Sequence, residues 1–289
     1  MNSSWQMIAQ HVAATTGKSF EVDSTSSVSG GCINDGYQIS GSGKTYFVKL
    51  NRPNQMEMFA AEALGLTQMG ATKTICVPQP ICWGETQNHS YIVLEWLNLG
   101  SSNGKAWREM GRQLAGLHRV GVSAQFGWDR NNTIGSTPQI NAWCDDWADF
   151  WAEMRIGYQL RLAKRNGGTF PDLNLVVDTV RQMLRGWEPQ PSLVHGDLWS
   201  GNAAIAADGT PILFDPAAYY GDREVDIAMT ELFGGFSPSF YQGYNEEWPL
   251  DSGYSDRRDI YNLYHVLNHF NLFGGGYGGQ ANRIIQRFL

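Results

Sequence analysis

At 289 residues the chain is long enough for two modest domains or one large two-lobed one, and for a sizeable core. Its 21 Lys+Arg against 28 Asp+Glu give a formal net charge of −7, so no global positive field exists to gather nucleic acid or anionic membrane. The 11 Trp, 12 Tyr and 13 Phe exclude a disordered chain, and no apolar run approaches the roughly 18 residues of a membrane span. The opening MNSSWQMIAQH lacks a basic and then apolar leader, and Cys32, Cys76, Cys82 and Cys144 form no C-x-x-C pair. The expectation is a soluble cytoplasmic protein with reduced thiols and neither nucleic acid nor membrane as partner.

In chain order, residues 1–17 read as a short amphipathic helix, with Trp5, Ile8, Ala9 and Val12 at helical spacing. From Phe20 to Leu50, Ser, Thr, Val, Tyr and Phe dominate, broken at Ser29-Gly30-Gly31 and Ser40-Gly41-Ser42-Gly43, which predicts a three-stranded antiparallel meander. A helix follows near Asn54–Met69, then strands around Ile81–Glu85 and Ser90–Glu95 introduced by Pro78 and Pro80. Asn98–Gly104 is a polar, flexible stretch, and beyond it the pattern turns mainly helical, with Trp107, Met110, Leu114 and Leu117 on one face. The predicted organisation is a small sheet-plus-helix lobe over residues 1–97 and a larger helical lobe over 98–289.

The segment richest in chemistry is His195-Gly196-Asp197-Leu198-Trp199-Ser200-Gly201-Asn202, followed by two short strands around Asp208-Gly209 and ending at Asp215. Asp-Gly favours a two-residue hairpin loop, and counting back symmetrically from it sets Asn202 opposite Asp215. One amide oxygen and one carboxylate at the open end of a hairpin suit a hard cation such as Mg²⁺ carrying a nucleotide. Asp197, on the same loop, is placed to take a proton from a hydroxyl. Taken singly, either Asp or Asn equally fits a plain cap or turn.

His195-x-Asp197-Leu198-x-x-x-Asn202 resembles the catalytic loop of protein kinases, and Asp215-Pro216-Ala217 stands where their metal-binding Asp would. The order upstream fits as well. Lys49 ends a strand, as does the lysine that grips nucleotide phosphates, and Glu62 lies on the next helix as its ion-pair partner, with Glu57 as a rival. A lone charge of either kind is ordinarily solvated; their order with the loop is what argues otherwise. Leu94-Glu95-Trp96-Leu97 resembles the inter-lobe hinge, where Glu95 and Leu97 would present backbone to adenine. Ser29-Gly30-Gly31-Cys32 departs from G-x-G-x-x-G, yet Gly30 and Gly31 would let backbone amides approach phosphate. Gly196 replaces the arginine of the protein-kinase loop, no A-P-E follows Asp215, and a long helical insert precedes the loop, as in aminoglycoside and choline kinase-like enzymes.

Within that group the chain most resembles the fructosamine kinase (ketosamine 3-kinase) family. The residues carrying the resemblance are Phe126-Gly127-Trp128, Asn132 to Asn141, Trp147, Phe150, Arg155, the His195–Asn202 loop, Tyr220 to Met229, and Tyr261 to Phe273. The resemblance implies a bilobal, protein-kinase-like α+β fold and ATP-dependent phosphorylation of the 3-hydroxyl of ketosamines, free or on protein lysines, with ATP and Mg²⁺ as cofactors. It gives Asp197 the role of base, Asn202 and Asp215 that of metal ligands, and Asp226 that of a structural acceptor for the loop's backbone amides, with His195 in support. Trp199 would pack on the sugar or form core under the loop. Arg223, in Asp222-Arg223-Glu224, would face substrate or belong to a solvated charge cluster. His265-x-x-x-His269 has metal-compatible spacing but no third ligand, so core or hydrogen-bonding histidines are expected. Kinases for another alcohol and a non-catalytic nucleotide-binding module are the alternatives. Cys32, in the loop over the phosphates, is either an inert buried thiol or a redox brake, the latter with a disulfide between two chains as one form.

Overall fold

The computed structural model describes residues 3–28 and 33–289. Helix α1 (Ser3–Thr16) leads into strands β1 (Ser24–Val28), β2 (Asp35–Gly41) and β3 (Lys44–Asn51); then come α2 (Met56–Ala71), β4 (Pro80–Glu85) and β5 (Ser90–Glu95). The five strands form one antiparallel sheet in the order β1-β2-β3-β5-β4, so the expected meander is extended by a hairpin whose second strand inserts beside β3. Helix α1 buries Ile8, Ala9 and Val12 on one side of the sheet against Ile39, Val48 and Val93. On the other side Phe59, Ala63 and Leu66 of α2 cover Ile92 and Leu94. The alternation along β3 and β5 thus supplies both faces, as a strand period of two requires.

Residues 96–103 cross to helix α3 (Gly104–Val120), whose first turn is capped by the Asn103 side chain accepting from the Ala106 N–H at 2.9 Å. A two-stranded hairpin, β6 (Asn132–Ile134) and β7 (Thr137–Gln139), and a helical run follow. That run begins as α4 (Trp147–Asp149), widens into a π-helix over Phe150–Gly157, and continues as α5 (Tyr158–Arg165). Next are α6 (Leu173–Leu184), β8 (Ser192–Val194), β9 (Ala203–Ile205), β10 (Pro211–Leu213), β11 (Tyr219–Gly221), and helices α7 (Glu224–Leu232), α8 (Pro238–Glu247), α9 (Tyr254–Phe273) and α10 (Gly276–Ile285). The larger core centres on Trp147, Phe150, Trp151, Tyr261 and Tyr264, with ring centroids 5.1–6.1 Å apart in mostly edge or tilted arrangements. Ala61, Met69 and Ile75, from the sheet lobe's side of the linker, belong to this core too, and Leu213 N–H donates to the Cys76 C=O at 3.0 Å.

The β9–β10 hairpin corrects the predicted register. Ala203 faces Leu213 and Phe214 N–H donates to the Asn202 C=O (3.1 Å), so Asn202 lies opposite Phe214, one short of Asp215. The turn holds three residues rather than two: Ala206 N–H donates to the Thr210 C=O at 2.8 Å, and Gly209 N–H donates to the Ala206 C=O at 2.9 Å with φ at +91°. This is the turn that places a left-handed glycine in its last loop position, and it moves the partner of Asn202 by one residue at the open end.

Candidate active site

Between the two lobes lies a cleft of about 1120 Å³. Its roof is the inner face of the sheet at Val28, Phe47 and Leu94; its back is the 95–99 connection; its floor carries the loop from Asp197 to Asn202 and the Asp215–Ala217 turn. The C-terminal part of α9 closes the far end with His269, Leu272 and Phe273.

Lys49, buried on β3, which runs two residues past it to Asn51 rather than ending there, donates to Glu62 Oε1 at 2.6 Å and is also paired with Asp215. Burial works against its ammonium, but the two carboxylates outweigh it and hold the pKa above the ordinary lysine value. Of the two rival acids, Glu62 makes this contact, while Glu57 pairs with Arg130 on the surface. Asp215 adopts φ +59°, a left-handed conformation that Asp tolerates better than most residues; its side chain, 40% exposed, faces the cleft.

The loop carrying Asp197 is held from beneath. Asp226 Oδ2 accepts from the His195 N–H at 2.7 Å and Oδ1 from the Gly196 N–H at 2.8 Å. The same carboxylate meets His118 Nε2 at 3.0 Å, and His118 Nδ1 meets the Tyr244 hydroxyl at 2.8 Å. An ionised Asp only accepts, so the Nε2 of His118 carries the proton. Burial opposes the Asp226 charge, yet the His118 hydrogen bond and charge, with help from His195 and the Gly196 amide, keep its pKa below the usual carboxylate range. His195 donates from Nε2 to the Phe214 C=O (2.9 Å) and accepts the Asp197 N–H at Nδ1 (3.3 Å), and burial lowers its pKa, which suits a neutral ring. Gly196 cannot be replaced without strain, because φ is +79° and a Cβ would stand 2.2 Å from the Ala217 carbonyl oxygen.

Asp197 itself is half-buried, and its pKa is pushed up to about 7, first by desolvation and next by the charge of Asp215. Asn202 Nδ2 donates to the Asp197 C=O at 2.9 Å and to Oδ2 at 3.3 Å, which leaves the amide oxygen of Asn202 as the atom available to a cation. Asn202 and Asp215 both line the cleft, although not as a directly opposed pair. Among the described residues no group of three or more His, Cys, Asp or Glu side chains forms a protein-only metal cage. A magnesium nucleotide asks only for one or two protein oxygens beside phosphate and water, and the amide and carboxylate oxygens here are of that kind.

Trp199 is 41% exposed and lines the cleft, so it is not core under the loop. Glu95 and Leu97 also line it. Arg223 does not: its guanidinium donates to the carbonyls of Trp248 (2.9 Å) and Pro249 (2.6 Å) and lies over the Trp248 ring at 4.0 Å. Asp222 and Glu224 are likewise buried, bonded to Tyr261 and Arg257 respectively, so this charge cluster is built into the interior rather than solvated and lies outside the cleft. His265 is a core residue, and His269 bonds to its backbone carbonyl at 2.8 Å. Gly30, Gly31 and Cys32, with the redox and inter-chain disulfide expectations, lie outside the described residues; Cys76, Cys82 and Cys144 are free thiols.

Sequence reasoning assigned no role to two supports. One is His118, whose signal was a polar residue four positions after Leu114 on a buried helical stripe. The other is an amide network under the Asp215 turn: Asn132 donates to the Ala218 C=O (2.8 Å), Gln139 to the Ala217 C=O (3.0 Å), and Tyr264 to Gln139 Oε1 (2.6 Å). Arg155, fully buried in the π-helix, ties Ile140 and Asn141 into it and lies over Tyr219 at 4.1 Å.

A five-stranded sheet over a helical lobe, with a buried Lys–Glu pair and an Asp/Asn/Asp cleft between them, defines a kinase-like phosphotransferase. Its fold is shared at 15% identity with an aminoglycoside phosphotransferase crystallised with AMP-PNP and hygromycin B, with a TM-score of 0.66 covering 96% of this chain and 98% of that one. The chain belongs to the fructosamine kinase family, whose model matches residues 4–289. It is 58% identical to a probable ketoamine kinase of Synechocystis over 99% of this chain and 97% of that one, and 43% identical to the chloroplastic protein-ribulosamine 3-kinase of Arabidopsis thaliana over 95% and 85%. A crystal structure of a fructosamine-3-kinase homologue from Haemophilus somnus superposes with a TM-score of 0.93 at 34% identity, covering 99% and 97%.

Proposed function

We propose that this protein is a ketoamine kinase that moves the γ-phosphoryl of ATP to the 3-hydroxyl of a ketosamine, the adduct of a sugar with an amine or a protein lysine. The observation that carries the reading is a raised-pKa carboxylate, Asp197, in the same cleft as the Lys49–Asp215 pair, in a chain of this family. The substrate class rests on its ketoamine kinase and ribulosamine kinase relatives.

Lys49, steadied by Glu62, contacts the phosphates. Asn202 through its amide oxygen and Asp215 through its carboxylate would hold Mg²⁺, which when bound neutralises phosphate charge. Asp197 orients the acceptor hydroxyl and takes its proton as the oxygen bonds to phosphorus and ADP leaves. The Glu95–Leu97 backbone meets the adenine edge and the exposed indole of Trp199 packs on the sugar, while Gly30 and Gly31 are assigned to the phosphates from their sequence alone. His195 and Asp226 fix the loop. No helix among the described residues is long and apolar enough to cross a membrane. We assign the activity to the cytoplasm, where ATP is available.

A coupled ADP-release assay with Mg·ATP tests the reading against ribulose-lysine, fructose-lysine and an aminoglycoside panel. Turnover confined to the ketoamines is expected. Turnover only with aminoglycosides would replace the acceptor, and nucleotide binding without any turnover would demote the protein to a binding module.

A further inference from the structure

Helix α2 carries two buried stripes. Phe59, Ala63 and Leu66 pack on the sheet, whereas Ala61 and Met69 enter the core of the larger lobe. Ala61, Gly65 and Met69 are spaced by four, so they form one line along the helix. At the middle of that line Gly65 lets the helix backbone approach the segment just after Asp215: a Cβ there would lie 3.2 Å from Ala218 Cβ, 3.6 Å from Pro216 Cγ and 3.8 Å from the Trp128 ring. Three residues on, Gln68 Oε1 accepts from the buried Trp128 indole N–H at 2.7 Å. At the helix start, Glu57 pairs with Arg130 from the same segment; Glu57 is exposed and Arg130 only half-buried, so this contact orients more than it holds. Glu62, between these anchors, reaches Lys49 at 2.6 Å.

We infer that the Trp128–Arg130 segment and the Pro216–Ala218 turn hold α2 as a fixed strut between the lobes, so that the Lys49–Glu62 grip is assembled before nucleotide arrives and needs no activating step. A helix docked on the sheet alone could rotate and part the pair. Here rotation would withdraw Ala61 and Met69 from the larger core and break the Gln68–Trp128 bond. Gly65, Gln68 and Trp128 are therefore positioning residues, acting on ATP through Glu62. The inference rests on the ATP-dependent reading above.

The test uses the full chain and reads nucleotide affinity by calorimetry with Mg·ATP, independently of any acceptor. Gln68→Leu removes the acceptor for the indole on a half-buried position, and Gly65→Val pushes on the 216–218 turn. Each is expected to weaken Mg·ATP roughly three- to ten-fold, the range of a lost contact of this type. Gln68→Glu, which still accepts from the indole, should restore affinity. In a Glu62→Gln background Gln68→Leu should add less than about two-fold, because the route runs through Glu62. Amide hydrogen exchange should already protect α2 without nucleotide, and Mg·ATP should slow it no more than it slows the rest of the core. Wild-type affinity in Gln68→Leu, an undiminished loss in the Glu62→Gln background, or α2 protection that appears only with Mg·ATP would each overturn the strut. Failure of the wild type to bind Mg·ATP would instead overturn the kinase reading beneath it, and absence of ketoamine turnover alone would leave this binding test able to decide.

Discussion

Desolvation and the neighbouring Asp215 both favour the proton on Asp197, and a carboxyl group poised near neutrality is the outcome, as the proposed base requires. Asp197→Asn should keep nucleotide affinity, since the carboxylate acts on the acceptor, and lose about 10² to 10⁴ in turnover. The same change should stabilise the fold. A carboxylate whose folded pKa is raised from 3.8 to about 7 contributes stability below the unfolded value and loses it as pH rises through 7, so at pH 8 the wild type carries an unfavourable charge that Asn lacks. Asp197 is only half-buried and solvent screens it, so a gain of roughly 1 kcal/mol, about 2–4 °C in Tm, is expected. Thermal melts at pH 8 check this, and a lower Tm for the variant would contradict it. The pH profile follows from the same group. In the free enzyme kcat/KM should fall about tenfold per pH unit below 7 as the base becomes protonated, and a flat profile from pH 8 to 5.5 would remove Asp197 as the base.

At the scale of elements, the catalytic loop and the Asp215 turn are suspended from partners far away in sequence. Asp226→Ala would strand the amides of His195 and Gly196 and the Nε2–H of His118 together, a loss of roughly 3–5 kcal/mol that urea denaturation should register. A loss under 1 kcal/mol would mean that water replaces the carboxylate. These supports also mark where the sequence stopped being readable. Lys49, Asp197, Asn202 and Asp215 were legible because each lies in or beside a short element with a strong local signature. The hairpin register was not, since Asp208-Gly209 suits both a two- and a three-residue turn, and the difference lies in one hydrogen bond from Ala206 to Thr210. The β6–β7 hairpin escaped because its strands are three residues long and are held largely by amide side chains bonding to Ala217 and Ala218, some eighty residues on. Arg223 was undecidable locally, because its burial depends on carbonyls at Trp248 and Pro249.

Over the whole molecule, the alternating strands and the change to helical spacing after Gly104 carried the two-lobed plan, while the seam between the lobes was invisible. Ala61, Met69, Ile75 and Cys76 precede the linker yet join the larger lobe by packing or backbone bonds, contacts that no local periodicity encodes. The consequence is a cleft whose two walls are already joined, so nucleotide should stabilise the protein as one unit. A ligand that binds only the folded state at about 100 times its Kd adds roughly 2.7 kcal/mol, and for a chain of this size a single, concentration-dependent upward shift in Tm is expected with Mg·ATP. On the proposed reading, part of that shift depends on a metal held by the Asn202 amide oxygen and the Asp215 carboxylate, so EDTA should reduce it in the wild type. In Asp215→Asn one of the two groups proposed to hold the metal loses its charge, and Lys49 keeps only Glu62 as its charged partner. The variant should therefore show a smaller ATP shift that EDTA barely changes. If Mg·ATP and ATP with EDTA shift the wild type equally, Asn202 and Asp215 do not hold a metal nucleotide, and the cleft binds ATP through Lys49 and the hinge alone.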